Sequence, residues 1–234
     1  MRPPTGRASV PVPRVLLLTD GRSMRDSRAL AVTVAAALDA GMDGVVIRER
    51  QLAPGRRRAL GQQVRAAAQA AGSSAALLWA APLPNQPRLA GGSPGPGPDA
   101  MTADLLDGVH LRARDPFPHG ERPALVGRSC HAEDDLRHAA NEGCDYVTLS
   151  PVAASGSKPG YGPALGVDGV RALLTRAAYL NPGAPRVLAL GGVEPGAAHQ
   201  WLEAGAHGVA VMGTVMRAND PANVAARLVA EVIG

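Results

Sequence analysis

One loop of the sequence concentrates side chains that could bind an anion. Residues 150–166 read SPVAASGSKPGYGPALG, and Lys158 is the only lysine among the 24 cationic side chains of the chain. Ser155 and Ser157 precede it, so two hydroxyl groups stand next to one compact ammonium. Hydroxyls, backbone amides and an ammonium are suitable donors to phosphate oxygens, which makes this loop a candidate anion site. A solvated turn is the alternative, because Ser, Gly, Pro and Lys are ordinary loop residues.

Two further segments contain glycines close after an apolar run. Gly191 and Gly192 follow the run VLAL, and Met212 and Gly213 follow the run GVAV. Because glycine has no Cβ, the N–H groups of such a segment can approach an anion and point at its oxygens. A tight turn would explain either segment alone, whereas the two together favour a phosphate site.

The segment GRSCH, residues 127–131, supplies a hydroxyl and an imidazole two residues apart. An imidazole with an ordinary pKa of about 6.5 can accept and donate a proton at neutral pH, so His131 is a candidate acid–base group. Capping of the following helix is the alternative role for His131. Ser129 should point to the same face, whereas Cys130 between them should point to the opposite face, towards the helices, because side chains alternate along a strand.

Short apolar runs alternate with Ala-rich helical stretches and must position these groups. Near-continuous apolar strands joined by helical crossovers predict a parallel sheet covered on its outer face. The predicted strands are Val15–Thr19, Gly44–Ile47, Ala75–Trp79, Val109–Leu111, Ala124–Arg128, Tyr146–Leu149, Arg186–Leu190 and Val209–Met212. The predicted helices are Asp26–Ala40, Gly55–Ala71, Met101–Leu106, Ala132–Glu142, Val167–Ala178, Pro195–Ala204 and Pro221–Ile233.

Eight strands with interleaved helices in about 220 residues predict a single-domain α/β fold, a TIM (β/α)8 barrel. An open, doubly wound sheet is the alternative, because periodicity does not distinguish a closed sheet from an open one. Residues 1–13 are predicted to form a flexible Pro-rich tail, and residues 14–234 the barrel. Residues 82–98 contain six prolines and four glycines, which predicts a loop insertion after the third strand.

Composition excludes several classes of protein. The net charge of +4 favours anionic partners, but aromatic residues are only 3% of the chain and leave little to stack on bases, so we expect no nucleic acid partner. Two cysteines without a CxxC pattern predict free thiols. No apolar stretch approaches the roughly 18 residues of a membrane span, and the N-terminus has no signal-peptide pattern. We therefore expect a cytoplasmic protein with no membrane partner.

Eight motifs occur in one order along the chain. They are LLLTD, GVVIRER, DGVHL followed by Asp115, GRSCH, CDYVTLSP, SGSKPGYGPALG, LALGGV and GAHGVAVMGTV. From about Val15 to Leu228 the sequence resembles the thiamine phosphate synthase/TenI family of (β/α)8 enzymes. The synthases join a hydroxymethylpyrimidine pyrophosphate to a thiazole phosphate and displace pyrophosphate with Mg²⁺. The TenI-type members are thiazole tautomerases, which move a proton to aromatise a thiazole carboxylate phosphate.

The resemblance assigns roles to most of the candidate residues. It implies that Lys158 and Arg50 contact phosphate or pyrophosphate, that Asp115 is a ligand of Mg²⁺ if the metal is bound, and that Arg48 and His131 are catalytic. Members of the family commonly form homo-oligomers, so this state is also considered. The residues implied to hold the thiazole phosphate are Ser129, Ser155, Ser157, Gly191, Gly192, Met212 and Gly213.

The chain departs from the synthase pattern at the pyrophosphate and metal end. The synthase sequence Gln-x-Arg-x-Lys is replaced by residues 46–50, VIRER, and the Asn-Asp pair after strand three has only a faint match in Asn85-Gln86. Asp115 follows Arg112, Ala113 and Arg114 where the synthases have Gly-Gln-Glu. One carboxylate together with substrate oxygens can still bind Mg²⁺ weakly.

These departures favour a metal-independent, tautomerase-like acid–base chemistry on a thiazole phosphate, with His131 as the proton shuttle and no cofactor. The alternative is a Mg²⁺-dependent thiamine phosphate synthase that also binds the pyrimidine pyrophosphate. A second alternative is a non-catalytic protein that binds a phosphate ligand.

Overall fold

The computed structural model describes residues 10–23, 27–81, 105–154, 163–180 and 184–234. Its eight strands form a closed barrel in the order β1 to β8, and every neighbouring pair is parallel. The predicted TIM barrel is therefore confirmed, and the open-sheet alternative is wrong because β1 pairs with β8. Among the described helices, none is both long and apolar enough to cross a bilayer.

The elements fall close to their predicted positions. The strands are β1 Val15–Leu18, β2 Gly44–Ile47, β3 Ala76–Ala80, β4 Gly108–Leu111, β5 Leu125–Cys130, β6 Tyr146–Leu149, β7 Arg186–Leu190 and β8 Gly208–Val211. The helices are α1 Ser27–Asp39, α2 Pro54–Ala70, α3 Glu133–Asn141, α4 Gly166–Leu180, α5 His199–Glu203, α6 Gly213–Met216 and α7 Pro221–Val232. The insertion predicted at 82–98 and most of the helix predicted at Met101–Leu106 lie outside the described residues.

Strand alternation divides the core into two layers. Leu16, Leu18, Leu78 and Leu188 belong to the cluster that fills the barrel, with Tyr146 as its largest member. The alternate strand positions pack outwards against the helices in two further clusters. Each fully buried leucine contributes roughly 2 kcal/mol relative to an exposed one, which favours apolar side chains on both faces of the strands. This double burial explains why the strands are nearly continuous apolar runs.

Three aspartates join neighbouring strands at the amino-terminal end of the barrel. Asp43, directly before β2, accepts hydrogen bonds from the backbone N–H groups of Arg14 and Val15. Asp107 and Asp145 stand in the same position before β4 and β6. Asp107 accepts from Leu77 N and Asp145 from Val126 N, at 2.8 and 2.7 Å. Each carboxylate thus satisfies an N–H at the start of the preceding strand, where the sheet itself offers no carbonyl.

Helix α5 is shorter than the sequence predicts. The prediction began at Pro195, whereas the structure begins the helix at His199. Both carboxylate oxygens of Glu231 on α7 accept backbone hydrogen bonds, one from Gly196 and the other from Ala198 at 2.9 Å. Because of this tertiary contact, residues 196–198 lie outside the helix, which begins at His199.

Candidate active site

The carboxyl-terminal ends of the strands open into a pocket of about 850 Å³. This is the end of the barrel at which the loops after parallel strands meet, so residues distant in sequence share one cavity. Its lining includes nine of the residues singled out from the sequence. They are Arg48, Arg50, Asp115, Ser129, His131, Gly191, Gly192, Met212 and Gly213. Ser155, Ser157 and Lys158, the remaining three, lie outside the described residues.

The charged groups in the described lining are mostly cations. The pocket is lined by two carboxylates, those of Asp115 and Glu194. The five lining arginines are Arg48, Arg50, Arg112, Arg114 and Arg217. An excess of fixed positive charge in a concave, partly desolvated site attracts anionic ligands. Three of these arginines, Arg112, Arg114 and Arg217, had not been assigned to the site from the sequence, although two of them lie within three residues of Asp115.

Burial and mutual repulsion act on the two arginines that follow β2. Burial, followed by the charges of Arg112 and Arg48, lowers the pKa of Arg50 to about 10. Burial also lowers the pKa of Arg48, against the opposing effect of Asp20. Both guanidinium groups remain protonated at neutral pH, so the protein holds repelling cations close together. A bound anion would relieve that repulsion.

Hydrogen bonds fix the positions of these two arginines. Arg48 donates a side-chain hydrogen bond to Met212 Sδ, and its backbone N–H donates to Thr19 Oγ1 at 2.9 Å. Arg50 donates from Nε to Ala81 O at the end of β3. The end of β2 is thus tied to β1, β3 and the residue after β8, which orients both cations at the barrel mouth.

The carboxylate of Asp115 contacts Arg112, an arginine of its own loop. Its Oδ2 accepts a hydrogen bond from Arg112 N at 2.9 Å and lies 3.5 Å from Arg112 Nε. At the end of β3, where a second acid would be expected for a metal site, the described chain has Ala80 and Ala81. In the part of the chain that the structure describes, no three His, Cys, Asp or Glu side chains gather as metal ligands would. Of the two acids expected for a metal site, the described residues therefore supply Asp115, and Mg²⁺ commonly uses one or two protein carboxylates.

His131 is oriented by the residue that ends the next strand. Its Nδ1 lies 2.8 Å from Ser150 O, and a carbonyl can only accept, so Nδ1 carries the proton. In the neutral ring Nε2 is then the nitrogen that can take up a proton. The capping alternative is not observed for this ring, because it bonds to Ser150, while Asp135 of α3 accepts the His131 backbone N–H at 2.9 Å. Cys130 packs among the outward-facing core residues, as strand alternation predicts.

The glycine segments form a narrow surface at the ends of β7 and β8. Gly191 and Gly192 have φ values of 94° and 69°, a conformation that favours glycine. A Cβ on Gly192 would lie 2.4 Å from Ala154 O, so the loop after β6 packs directly on this turn. A Cβ on Gly213 would lie 2.1 Å from Arg217 Nη2, which places that guanidinium against the start of α6. The two glycine segments and Arg217 thus share one side of the pocket.

A buried arginine that the sequence analysis did not single out holds the loop after β4. The side chain of Arg128 is 0% exposed and points outwards from the barrel. Its Nη1 donates to the carbonyl oxygens of Arg112, Ala113 and Asp115 at 2.9, 3.2 and 2.8 Å, and its Nη2 pairs with Glu142 directly after α3. The position of Asp115 therefore depends on a residue outside the pocket.

His110 lines the pocket next to Ser129, and Tyr146 is buried behind it. His110 contacts Tyr146 Oη through Nδ1 and Ser129 Oγ through Nε2, each at 3.0 Å. His110 is therefore both a pocket residue and a hydrogen-bonded core histidine. Tyr146 was read only as the start of a strand.

A closed parallel barrel whose carboxyl end gathers arginines, glycine amides and an oriented histidine defines the class of (β/α)8 proteins. Residues 100–215 match the family model described as thiamine monophosphate synthase. A thiamine-phosphate synthase of Thermobifida fusca is 35% identical over 223 residues, which cover 92% of this chain and 90% of that protein. The chain belongs to this thiamine phosphate synthase family.

Other relatives match over a shorter length. A thiamine-phosphate synthase of Thermus thermophilus is 37% identical over 134 residues, which cover 56% of this chain and 62% of that protein. Among solved structures, thiamine phosphate pyrophosphorylase from Pyrococcus furiosus superposes with a TM-score of 0.66 and covers 94% of this chain and 97% of its own. Its identity is 19%, so that likeness supports the fold alone.

Proposed function

We propose that this protein is a thiamine phosphate synthase, which joins a pyrimidine pyrophosphate to a thiazole phosphate and releases pyrophosphate. The observation that carries the proposal is the described pocket lining, with five arginines against two carboxylates in about 850 Å³. A reaction between two phosphorylated substrates needs such capacity for negative charge. The names of the relatives support the same choice, which reverses the preference for a tautomerase drawn from the sequence.

The proposal divides the pocket into two anion regions. In a closed barrel of eight strands, β4 lies opposite β8. Arg112, which follows β4, therefore lies across the cavity from the glycines at the ends of β7 and β8. We assign the thiazole phosphate to Gly191, Gly192 and Gly213, whose backbone N–H groups suit phosphate oxygens. We assign the pyrophosphate to Arg48 and Arg50. The roles of Ser155, Ser157 and Lys158 as further phosphate contacts stay predictions.

The arginines also suit the bond changes of this reaction. When the thiazole nitrogen attacks the methylene carbon of the pyrimidine, the carbon–oxygen bond breaks and its electron pair leaves with pyrophosphate. Fixed cations around the departing oxygens stabilise that developing charge without reorganisation. Mg²⁺, which the family implies, would supply the same stabilisation, and Asp115 is the described carboxylate that would hold it.

A second candidate function, the thiazole tautomerase, rests on His131. The bond from Nδ1 to Ser150 O sets its tautomer, so Nε2 is the nitrogen that can accept a proton. General acid–base catalysis of this kind contributes about 10²–10⁴ in rate and requires no metal. The two functions therefore differ most in the role that they give to His131.

Two assays on the purified protein test the proposal. The first measures pyrophosphate release from pyrimidine pyrophosphate and thiazole phosphate, and the second measures conversion of the thiazole carboxylate phosphate tautomer. We expect pyrophosphate release that Arg50→Gln reduces at least tenfold and that Arg122→Gln leaves unchanged, since Arg122 is half-exposed at the opposite end of the barrel.

Each other outcome points to a different function. Tautomer conversion that His131→Gln abolishes, without pyrophosphate release, would overturn the synthase in favour of the tautomerase. Binding of thiazole phosphate with turnover in neither assay would leave the phosphate-binding protein considered from the sequence.

A further inference from the structure

A buried hydrogen-bond chain runs through the barrel interior to the floor of the pocket. It begins at Tyr146 Oη, passes through the ring of His110 and ends at Ser129 Oγ, with 3.0 Å at each contact. The two rings stack with centroids 5.6 Å apart and an interplanar angle of 29°. Tyr146 is 0% exposed and His110 is 2% exposed, whereas Ser129 lines the pocket.

Gly127 makes room for this arrangement. It pairs with Tyr146 across β5 and β6, and a Cβ at Gly127 would lie 2.0 Å from the Cζ atom of the Tyr146 ring. The tyrosine ring therefore occupies the space of the missing side chain, and its hydroxyl is held against His110. Such close packing leaves the ring little freedom to move its hydroxyl elsewhere.

The direction of the first hydrogen bond follows from the partners of Tyr146. A buried hydroxyl that does not donate loses the free energy of a hydrogen bond, roughly 1–3 kcal/mol. Within the described part of the chain, His110 Nδ1 is the side-chain acceptor within reach of Tyr146 Oη. Burial raises the pKa of Tyr146 well above its usual range, so the hydroxyl keeps its proton. Tyr146 therefore donates and His110 Nδ1 accepts.

The second bond follows from the first. Burial, reinforced by Arg50, Arg48 and Arg128, lowers the pKa of His110 to about 3, so the ring is neutral at physiological pH. A neutral imidazole has one N–H, and because Nδ1 accepts, the proton must be on Nε2. Nε2 therefore donates to Ser129 Oγ, and the serine hydroxyl has to donate in another direction.

We propose that Tyr146 and His110 are positioning residues that fix the serine hydroxyl of Ser129 as a hydrogen-bond donor towards the bound ligand. This orientation selects a ligand that presents an acceptor at this point, such as a phosphate oxygen or an unprotonated ring nitrogen, and rejects one that presents an N–H. The identity of the ligand rests on the proposed function, but the orientation of the hydroxyl does not.

The tautomer of His110 can be measured without any ligand. We expect a two-bond ¹⁵N–¹H correlation spectrum of the histidine-labelled protein to show His110 protonated on Nε2, with its signal assigned by its absence in His110→Gln. Tyr146→Phe should shift the Nδ1 resonance, because the lone pair of Nδ1 no longer accepts a hydrogen bond. Thr148→Val is the matched control, since it removes a buried hydroxyl of the same strand and should leave the His110 signals unchanged.

Ligand binding tests the effect on Ser129. Glutamine at position 110 retains an amide N–H near the position of Nε2, whereas leucine retains no donor. We expect His110→Leu and Ser129→Ala each to weaken binding of thiazole phosphate or inorganic pyrophosphate by roughly five- to tenfold. His110→Gln should weaken binding less. The probe whose binding is weakened by these substitutions is the one that contacts Ser129.

Two results would overturn the inference. One is a wild-type spectrum with the proton on Nδ1, and the other is a Ser129→Ala protein that binds both probes as tightly as the wild type. The spectrum is recorded on the ligand-free wild-type protein, so it decides the question even if a variant does not fold. Failure of the synthase assay would leave the spectrum unaffected, and the two hypotheses therefore fail separately.

Discussion

At the scale of single residues, Arg112 contacts the carboxylate of Asp115. One carboxylate oxygen accepts the backbone N–H of Arg112 and faces its Nε, so the negative charge is already partly compensated. We expect Arg112→Ala to strengthen binding of Mg²⁺ in the presence of inorganic pyrophosphate by several-fold, measured by calorimetry, because the carboxylate loses its competing cation.

Arg114→Ala is the matched control for this prediction. It removes the same charge from the same loop but leaves the contact between Arg112 and Asp115 intact. Equal Mg²⁺ affinity in the two variants would show that net charge, and not the release of Asp115, sets metal binding.

His110 makes stability depend on pH in a definite direction. Its pKa is about 3 in the folded protein and about 6.5 in the unfolded chain, so only the unfolded chain gains a proton between these values. The free energy of unfolding should therefore fall as the pH drops from 6 to 4, by up to about 1.4 kcal/mol per pH unit from this group. Above pH 7 this contribution is complete and constant.

The measurement is urea unfolding at several pH values in wild type and His110→Gln. We expect the variant to be less stable at every pH. The free energy of unfolding should also depend less steeply on pH between pH 6 and 4, by the uptake of up to one proton on unfolding. Parallel slopes for the two proteins would contradict a depressed pKa for His110.

At the scale of elements, Arg128 joins β5 to the loop after β4 and to α3. Its guanidinium satisfies three carbonyl oxygens and pairs with Glu142 while fully buried. We expect Arg128→Met to lower the free energy of unfolding by about 3 kcal/mol, because the carbonyls and the carboxylate lose their donor. Hydrogen exchange of residues 112–115 should accelerate as well.

Arg137→Met provides the comparison for Arg128. Arg137 is about half-exposed and pairs with Glu133 and Asp134 on the surface of α3, so its removal should cost less than about 1 kcal/mol. A similar loss of stability in both variants would mean that the buried carbonyl contacts of Arg128 contribute little.

The aspartates at the start of the even-numbered strands are also structural elements of the barrel. Asp43→Ala removes the acceptor of two backbone N–H groups before β1, and we expect a loss of about 1–3 kcal/mol in urea unfolding. Asp39→Ala at the exposed end of α1 is the control and should leave stability unchanged or raise it, because an acid is unfavourable at a helix carboxyl end. Equal effects of the two substitutions would argue against this role for Asp43.

At the scale of the whole molecule, the pocket charge couples ligand binding to stability. Inorganic pyrophosphate at a concentration of 100 times its dissociation constant should raise the free energy of unfolding by about 2.7 kcal/mol, visible as a higher Tm. The effect should decrease with added salt, because ions screen the arginines, and Arg50→Gln should reduce it more than Arg122→Gln. A Tm that pyrophosphate does not change would contradict an anion site in the barrel.

The sequence by itself determined the barrel and much of its pocket lining. The strands β2, β6 and β7 have their predicted bounds, because a strand covered on both faces is mostly apolar and this signal is local. Arg48, Ser129, His131 and the glycines were found because each follows or ends such a run, and in a closed parallel barrel all strand ends meet at one mouth.

Only the tertiary structure decided which partners these residues have. The contacts from Arg128 to the loop after β4, from Glu231 to the start of α5 and from Tyr146 through His110 to Ser129 join residues on different elements. Such contacts depend on strand register and side-chain direction, and no short-range periodicity encodes them. The sequence therefore predicts which residues meet at the mouth of the barrel, whereas the orientation of these groups is set only when the barrel closes.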